Sequence, residues 1–279
     1  MSKSDNNKGE ILKIITVQTG AFKNLIEALK DILFDCNIEI VPNDNNEKNG
    51  YMKILAVNNQ AGMLVHLRLL SVNFDEFVCT SKQVIGISMQ VFHRIIKTVN
   101  NNDILTMYRN SSDPGKLGIK IMNKDKKQVS QYNLQMIDVD NDVLDVSQAS
   151  FQAIVTMNSS DFQTVCKNMN GIEAKHVDIT VTGNVFRIYG KGEIADGTSE
   201  FSENTGGVSG ITINRREEYK NIIITGTYEL KNLLQFTKCT NLCSHIEIYL
   251  KNDYPLLIKY TVASLGYMHL CLSPIIEDP

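Results

Sequence analysis

The stretch "MQVFHRIIKTVNNND", Met89 to Asp103, sets the pattern on which the whole chain is organised. Its apolar residues recur at the i, i+3, i+4, i+7 spacing of a helix with one buried face: Phe92, Ile95, Ile96 and Val99. Arg94 and Lys97 lie off that face, and no acidic residue precedes Asp103. Taken alone, such a helix is typical of a solvated surface, so it decides nothing about function.

Three other stretches repeat this pattern of apolar residues: "AFKNLIEALKD" (21–31), "DFQTVCKNMN" (161–170) and "YELKNLLQFTK" (228–238). The first apolar residues of the four copies follow one another after 70, 70 and 68 residues: Phe22, Phe92, Phe162 and Leu230. The fourth copy also places Leu233, Leu234 and Thr237 on its buried face. Because chance rarely keeps so regular a spacing, the chain is predicted to consist of four internal repeats.

Stretches with strand character flank every predicted helix. A β-branched stretch precedes each one: 11–18, 83–89, 151–157 and 221–228. Short alternating stretches follow, for example 36–41, 51–57 and 64–70 after the first helix and 245–250, 256–262 and 267–273 after the last. The repeat unit is therefore predicted to be a strand, a helix and about three strands. Four such units make an α+β chain whose few helices pack on antiparallel sheets.

Length and composition indicate an ordinary soluble globular protein. Its 279 residues, 43% of them hydrophobic, favour two domains over one. No run reaches the roughly 18 apolar residues of a membrane span, and the polar start "MSKSDNNKGE" lacks the apolar core of a signal peptide. The six cysteines form no CxxC pair and are interpreted as buried apolar side chains, without disulfides or zinc. We therefore expect an intracellular protein with no membrane partner.

The charges are unevenly distributed along the chain. The windows around the four predicted helices hold seven Lys or Arg against four acidic residues, whereas the whole chain has a net charge of -3. If the sheets hold all four helices alike, these cations gather on one side, and such a surface suits the phosphate backbone of nucleic acid. No base-reading motif or stacking aromatic accompanies them, so the contact is expected to be independent of base sequence.

Four stretches carry more specific motifs: "LIEALKDIL" (25–33), "YNLQMIDVD" (132–140), "LKNLLQFTKCTNLCSHIEIYL" (230–250) and "YPLLIKYTVASLGYMHLCLSPIIEDP" (254–279). Through them the chain, from about residue 12 to its end, resembles the DNA sliding clamps of the proliferating cell nuclear antigen (PCNA) family. The resemblance implies the DNA-clamp fold, in which two similar domains, each with two strand-helix-strands units on curved antiparallel sheets, form one subunit. Three such subunits close head to tail into a ring around double-stranded DNA.

The resemblance also implies a division of the chain and a role. We expect a polar tail at 1–10, clamp domains at 11–135 and 151–279, and an interdomain connector loop at 136–150. The implied role is that of a homotrimeric DNA polymerase processivity factor that a clamp loader places on DNA. A specialised or heteromeric clamp subunit of the checkpoint type is the alternative, and self-assembly would distinguish the two.

Carried over by position, the resemblance assigns seven DNA-facing cations: Lys23, Lys30, Arg94, Lys97, Lys167, Lys231 and Lys238. Phe22 and Thr164 stand where the family usually has basic residues, so fewer contacts with phosphates are expected there. The subunit contact is assigned to two strands, 128–136 and 193–201, and to three residues: Tyr132, Ile194 and Phe201.

A pocket for partner proteins is implied as well. In the family, the connector and the C-terminal segment frame a hydrophobic pocket for short clamp-binding motifs of polymerases, ligases and nucleases. The matching positions here are Val57, Leu64, Leu144, Val146, Pro255, Cys271 and Pro274. Ordinary core packing is the alternative for these residues, and an exposed acidic loop is the alternative for the connector. Cys271 replaces a common aromatic and the connector lacks the family's proline, so a shallower pocket is expected.

No catalytic constellation is found in the sequence. The histidines show no HxxxH spacing, and neither a Gly-x-Ser-x-Gly elbow nor a Walker loop occurs. The stretch "GKGEIADG" (190–197) leads into no predicted helix and is interpreted as a turn. Asp138 and Asp140 lack the further oxygen ligands that a Mg²⁺ or Ca²⁺ site requires. We therefore expect no enzyme activity, no cofactor and no metal, in a protein of the nucleus or of a viral replication compartment.

Overall fold

The computed structural model describes residues 9–43, 49–58, 62–140, 150–203 and 210–275. Within these ranges the chain forms four α-helices: α1 (Thr19–Leu29), α2 (Met89–Ile96), α3 (Ser159–Gly171) and α4 (Leu230–Phe236). A strand precedes each helix and three longer strands follow it, which confirms the predicted repeat. No helix in the described part of the chain is both long and apolar enough to cross a membrane.

The strands share their order between the two halves of the chain. The first half contains β1 (Glu10–Thr16), β2 (Asp35–Val41), β3 (Tyr51–Asn58), β4 (Met63–Leu70), β5 (Glu76–Cys79), β6 (Gln83–Ser88), β7 (Asp103–Asn110), β8 (Lys116–Asn123) and β9 (Gln128–Gln135). The second half contains β10 (Ala153–Asn158), β11 (His176–Thr182), β12 (Val185–Lys191), β13 (Asp196–Ser202), β14 (Thr212–Arg215), β15 (Ile224–Glu229), β16 (His245–Leu250), β17 (Leu256–Val262) and β18 (Gly266–Leu272).

The short strands β5 and β14 were not predicted. Each has four residues, too few for an alternating pattern to stand out from a loop. Both have the same role, since β5 pairs with β1 and β14 pairs with β10, the strands that precede α1 and α3. They are therefore a further element of the internal repeat.

The chain divides into two compact units. Unit 1 comprises Met1–Ala56, His66–Val143 and Val262–Tyr267, and unit 2 comprises Val57–Val65, Leu144–Thr261 and Met268–Pro279. In unit 1, an antiparallel sheet has the order β5-β1-β7-β8-β9, and β6, β2 and β3 pair in a second sheet. In unit 2, a four-stranded sheet has the order β13-β12-β11-β15, and β14, β10, β16 and β17 pair in succession.

The core of unit 1 forms where the apolar faces of α1 and α2 meet. The rings of Phe22 and Phe92 pack edge to face with their centroids 6.3 Å apart, and both side chains are buried. Aromatic pairs in this geometry contribute about 0.5–1.5 kcal/mol beyond the area they bury. Thr19 Oγ1 donates to Asn100 O at 2.8 Å and fixes the start of α1 beside the chain that follows α2.

Unit 2 repeats the contacts of unit 1. Ser159, the first residue of α3, stands 140 positions after Thr19, the first residue of α1, and its Oγ donates to Cys243 O at 2.6 Å, beyond the end of α4. In both units the start of the first helix is thus anchored to the chain that follows the second helix. The repeat between the two halves of the chain therefore includes the position of this hydroxyl donor.

Two helices differ in detail from their predictions. The helix α2 ends at Ile96, with Lys97 as its C-terminal cap, although the apolar spacing extended to Val99. In α4, Leu234 is only half-buried, whereas Phe236 is fully buried and replaces it in the core. A 3-10 helix, Thr237–Leu242, follows α4 directly and buries Thr237 and Cys239.

Candidate nucleic-acid interface

The buried face of α2 leaves its two cations exposed. Phe92 and Ile96 are buried, while Arg94 and Lys97 are exposed and form no ion pair with the described residues. Arg94 lies in the last turn of α2 and Lys97 caps it, where a positive charge interacts favourably with the helix dipole. Both predicted cations are therefore available to an anion in solution.

The first helix contributes a third charge to the same place. Partial burial is the largest cause of the lowered pKa of His93 on α2, and the positive charge of Lys30 on α1 is the next. Lys97 lowers this pKa further, while Glu27 and Asp31 partly oppose the change. Lys30 of the first helix region and Lys97 of the second therefore both lie close enough to His93 to act on it, together with the acids Glu27 and Asp31.

Lys23, the other predicted cation of α1, is engaged in the fold. It is half-buried, and its Nζ donates to Val99 O at 3.1 Å, close after the end of α2. The ammonium group has three donors, so this bond leaves two of them for another acceptor. Lys23 thus has a structural contact in addition to its charge.

The cations of unit 2 are spread over α3, α4 and the 3-10 helix after α4. Lys167 on α3, Lys231 on α4 and Lys238 in the 3-10 helix are all exposed. Lys231 pairs with Glu229 at 2.9 Å, in an exposed contact that adds little stability but compensates part of the charge. Unit 2 consequently presents fewer uncompensated cations than a count of its basic residues suggests.

Two of the seven predicted pocket residues, Leu144 and Val146, lie outside the described residues. The other five are half-buried and belong to unit 2: Val57, Leu64, Pro255, Cys271 and Pro274. Ser273 N donates to Gly62 O at 3.3 Å, and continuation of this antiparallel register places Leu64 opposite Cys271. Burial raises the pKa of Cys271 to about 11, so its thiol remains neutral at pH 7 and acts as a small apolar group.

An aromatic cluster beside Pro255 was not predicted from the sequence. The ring of Phe151 packs against Tyr249 at 5.3 Å and Tyr254 at 5.8 Å, and Lys251 lies 5.0 Å from the centre of the Tyr254 ring. A cavity of about 310 Å³ borders Phe151 and Tyr249. The sequence signal for this aromatic cluster is Tyr254, which directly precedes Pro255, a residue already assigned to the pocket.

The predicted subunit strands both lie at sheet edges. The strand β9 ends the five-stranded sheet of unit 1 and carries Tyr132, which is 36% exposed. The strand β13 ends the four-stranded sheet of unit 2; it begins at Asp196, three residues later than predicted. Ile194 lies just before β13 and is 98% exposed, whereas Phe201 packs on Phe186 with ring centroids 6.3 Å apart.

The chain that follows β9 is tied to unit 1. Ile137 N donates to Gly86 O at 3.0 Å, and Asn37 Nδ2 donates to Val139 O at 2.9 Å. The predicted connector thus begins along β6 and β2, and its residues 141–149 lie outside the described ranges. Among the described residues, no three His, Cys, Asp or Glu side chains are grouped so as to hold a metal ion.

Comparison with known proteins gives two family matches. Residues 11–145 match the description "Proliferating cell nuclear antigen, N-terminal domain", and residues 145–275 match "Proliferating cell nuclear antigen, C-terminal domain". Together the matches extend over nearly the whole chain.

Similar proteins occur in viruses and in eukaryotes. A "Probable DNA polymerase sliding clamp" of Acanthamoeba polyphaga mimivirus is 30% identical over 98% of this chain, which spans 64% of that protein's length. A "Probable DNA polymerase sliding clamp 1" of Paramecium bursaria Chlorella virus 1 is 27% identical over 96% of this chain and 98% of its own. The "Proliferating cell nuclear antigen" of Chaetomium thermophilum is 24% identical over 94% of this chain and 96% of its own. With both family domains matched in order on the repeated fold described above, the chain belongs to the proliferating cell nuclear antigen family.

Proposed function

We propose that this chain is a DNA sliding clamp, a processivity factor that tethers a DNA polymerase to double-stranded DNA. The observation that carries the proposal is the pairing of helices. In each unit the first helix begins with a hydroxyl that donates to the chain after the second helix, and cations such as Arg94, Lys97 and Lys167 are exposed. Family membership supports the same role, since its matched relatives are named sliding clamps.

The clamp is proposed to act as a homotrimer that encircles DNA after a clamp loader has opened it. An edge strand such as β9 has unpaired backbone groups that can pair with a strand of another copy, such as β13. Pairing between two different edges is a head-to-tail contact, which closes into a ring when its rotation permits. The cations would then contact phosphates, and attraction to phosphates carries no sequence preference.

Polymerases and other proteins with clamp-binding motifs are proposed to dock on the half-buried apolar residues of unit 2. Leu64 and Cys271 supply the apolar floor, and the aromatic cluster around Phe151 and Tyr254 borders the position of Pro255. We propose no catalytic activity for the chain, and a location in the nucleus or in a viral replication compartment. The protein's role there would be to hold enzymes at the template.

The decisive experiment combines native mass spectrometry with a primer-extension assay on singly primed circular DNA. We expect the purified chain to be a trimer and to lengthen the products that its cognate polymerase makes in one binding event, in the presence of a clamp loader. A monomer that trimerises only with other clamp subunits would support the heteromeric alternative. A trimer that leaves product length unchanged would contradict the processivity role.

A further inference from the structure

A second basic surface lies in unit 1, on the exposed side of its second sheet. Side chains along β2 and β3 alternate between the core and this side: Met52 and Ile54 are buried, whereas Tyr51 and Lys53 are partly exposed. The partly exposed positions of β4 that belong to unit 1 include His66 and Arg68. The cations of this surface, which we call the Arg68 patch, belong to no helix and have no place in the DNA contact proposed above.

Arg68 is the centre of the patch. Its guanidinium carbon lies 4.1 Å from the centroid of the Tyr51 ring, and it has no acidic partner within the described residues. Its Nε is buried and makes no hydrogen bond there. A guanidinium stacked on an aromatic ring is held in one plane, so its N–H donors are oriented in advance for a carboxylate.

The neighbouring charges leave the patch positive. Lys53 and Lys82 both pair with one carboxylate, that of Glu39, at 3.1 and 2.9 Å. Among the described residues, the patch thus holds three cations, Lys53, Lys82 and Arg68, and one acid, Glu39, which pairs with the two lysines. His66 is also close, with its ring edge to face on Tyr267 at 6.3 Å.

We propose that the Arg68 patch is a docking surface for an acidic peptide segment of a partner protein, with a Glu or Asp carboxylate bound by the Arg68 guanidinium. The site is separate from the helix cations and goes beyond the proposed clamp function. A peptide fits better than a single-stranded nucleic acid, because binding of single strands draws on free aromatic rings on which bases stack. Here the Tyr51 ring is covered by Arg68, and the Tyr267 ring packs against His66.

Fluorescence anisotropy with the full chain and a fluorescein-labelled peptide of alternating Glu and Gly tests the proposal. We expect saturable binding that weakens about tenfold in Arg68→Gln, the loss typical of a charge-assisted contact. The peptide affinity of Arg68→Lys should lie between those of wild type and Arg68→Gln, since lysine keeps the charge without the planar guanidinium. Lys126→Gln, an exposed residue of the β8–β9 turn, is the matched control and should bind as wild type does.

A second variant changes affinity in the opposite direction. Glu39→Gln removes the acid that pairs with Lys53 and Lys82 and should tighten peptide binding about threefold, a result that misfolding cannot imitate. The proposal is overturned if wild type shows no saturable binding, or if Arg68→Gln and Lys126→Gln behave alike. It is equally overturned if oligothymidylate of the same charge binds more tightly than the peptide and competes through Arg68.

Discussion

At the scale of single residues, the side chains of α2 that pack in the core and those that carry positive charge point in different directions. Phe92 and Ile96 hold the helix in the core, and Arg94 and Lys97 project from the same helix into solvent. Charge can therefore be removed from this helix without opening a cavity. Substitution of the exposed cations is expected to change DNA affinity, whereas substitution of the buried residues is expected to change the free energy of unfolding.

Replacing Arg94 and Lys97 together with Ala should leave the melting temperature and the trimer unchanged, because neither side chain is buried. The affinity of the assembled clamp for duplex DNA should fall, and the slope of log K against log salt should decrease by about 1.8 for every subunit whose Arg94 and Lys97 both contact phosphates. Filter binding at several salt concentrations measures this slope. Identical slopes for mutant and wild type would mean that the two residues only face solvent.

Glu39 provides a pH dependence of stability. Partial burial alone would raise the pKa of Glu39, but the hydrogen bonds from Lys82 and Lys53 outweigh it and lower the pKa below the ordinary value of 4.5. A carboxylate whose pKa is lower in the folded state stabilises the fold above its unfolded pKa and loses that contribution as pH falls through the folded value. Urea unfolding below about pH 5 should therefore show a shallower pH dependence for Glu39→Gln than for wild type. Parallel curves would contradict the assignment.

At the scale of secondary-structure elements, the neighbouring residues Ile95 and Ile96 differ in burial although both were predicted to lie on the apolar face of α2. The helical spacing assigned Ile95 and Ile96 to one apolar face, yet Ile96 is 1% exposed and Ile95 is half-buried. The helix ends at Ile96, and Val99 beyond it is buried at 1% exposure, so Ile95 alone of the four predicted positions lies at the edge of the face. A pattern of apolar residues predicts which face is buried better than it predicts the edge of that face.

Ile96→Ala should lower the free energy of unfolding by about 2–5 kcal/mol, the range for a deleted core side chain. Ile95→Ala should cost clearly less, because part of the site is already in water. Chemical denaturation monitored by circular dichroism compares the two variants. Equal losses would show that Ile95 is as well packed as its neighbour.

The sequence predicted the elements far better than the contacts between them. Four helices and their preceding strands followed from periodicity, because a buried face imposes its spacing on the residues themselves. The stacking of Arg68 on Tyr51 could not be predicted, since it joins residues of different strands and depends on their register. The cluster of Phe151 with Tyr249 and Tyr254 depends in the same way on residues about 100 positions apart.

At the scale of the whole molecule, charge and assembly are linked. The chain as a whole is acidic, with a net charge of -3, while the exposed helix residues Arg94, Lys97 and Lys167 are basic. An acidic remainder disfavours binding of DNA at other surfaces, because like charges repel phosphate. The proposed trimer would bring three sets of helix cations to one DNA molecule and so multiply individually weak contacts.

Ile194→Glu and Tyr132→Ala should each convert the proposed trimer to monomer without unfolding the chain, since both side chains lie at exposed edges of their sheets. The control is Ile223→Glu, an exposed residue of the loop before β15. Sedimentation velocity at micromolar concentration measures the assembly. Trimers that persist in both edge variants would move the subunit contact to another surface.

The repeated anchoring of the helices has a consequence for where positive charge can be placed. Lys23 Nζ donates to Val99 O in unit 1, and Gln163 Nε2, 140 positions later, donates to Thr237 O at 2.9 Å in unit 2. Both bonds need only a long side chain with an N–H donor, so one is charged and the other neutral while the anchoring is the same. The two halves can therefore carry different charges at equivalent helix positions. The reciprocal exchange Lys23→Gln with Gln163→Lys should move one positive charge from unit 1 to unit 2 while both helix anchors are kept.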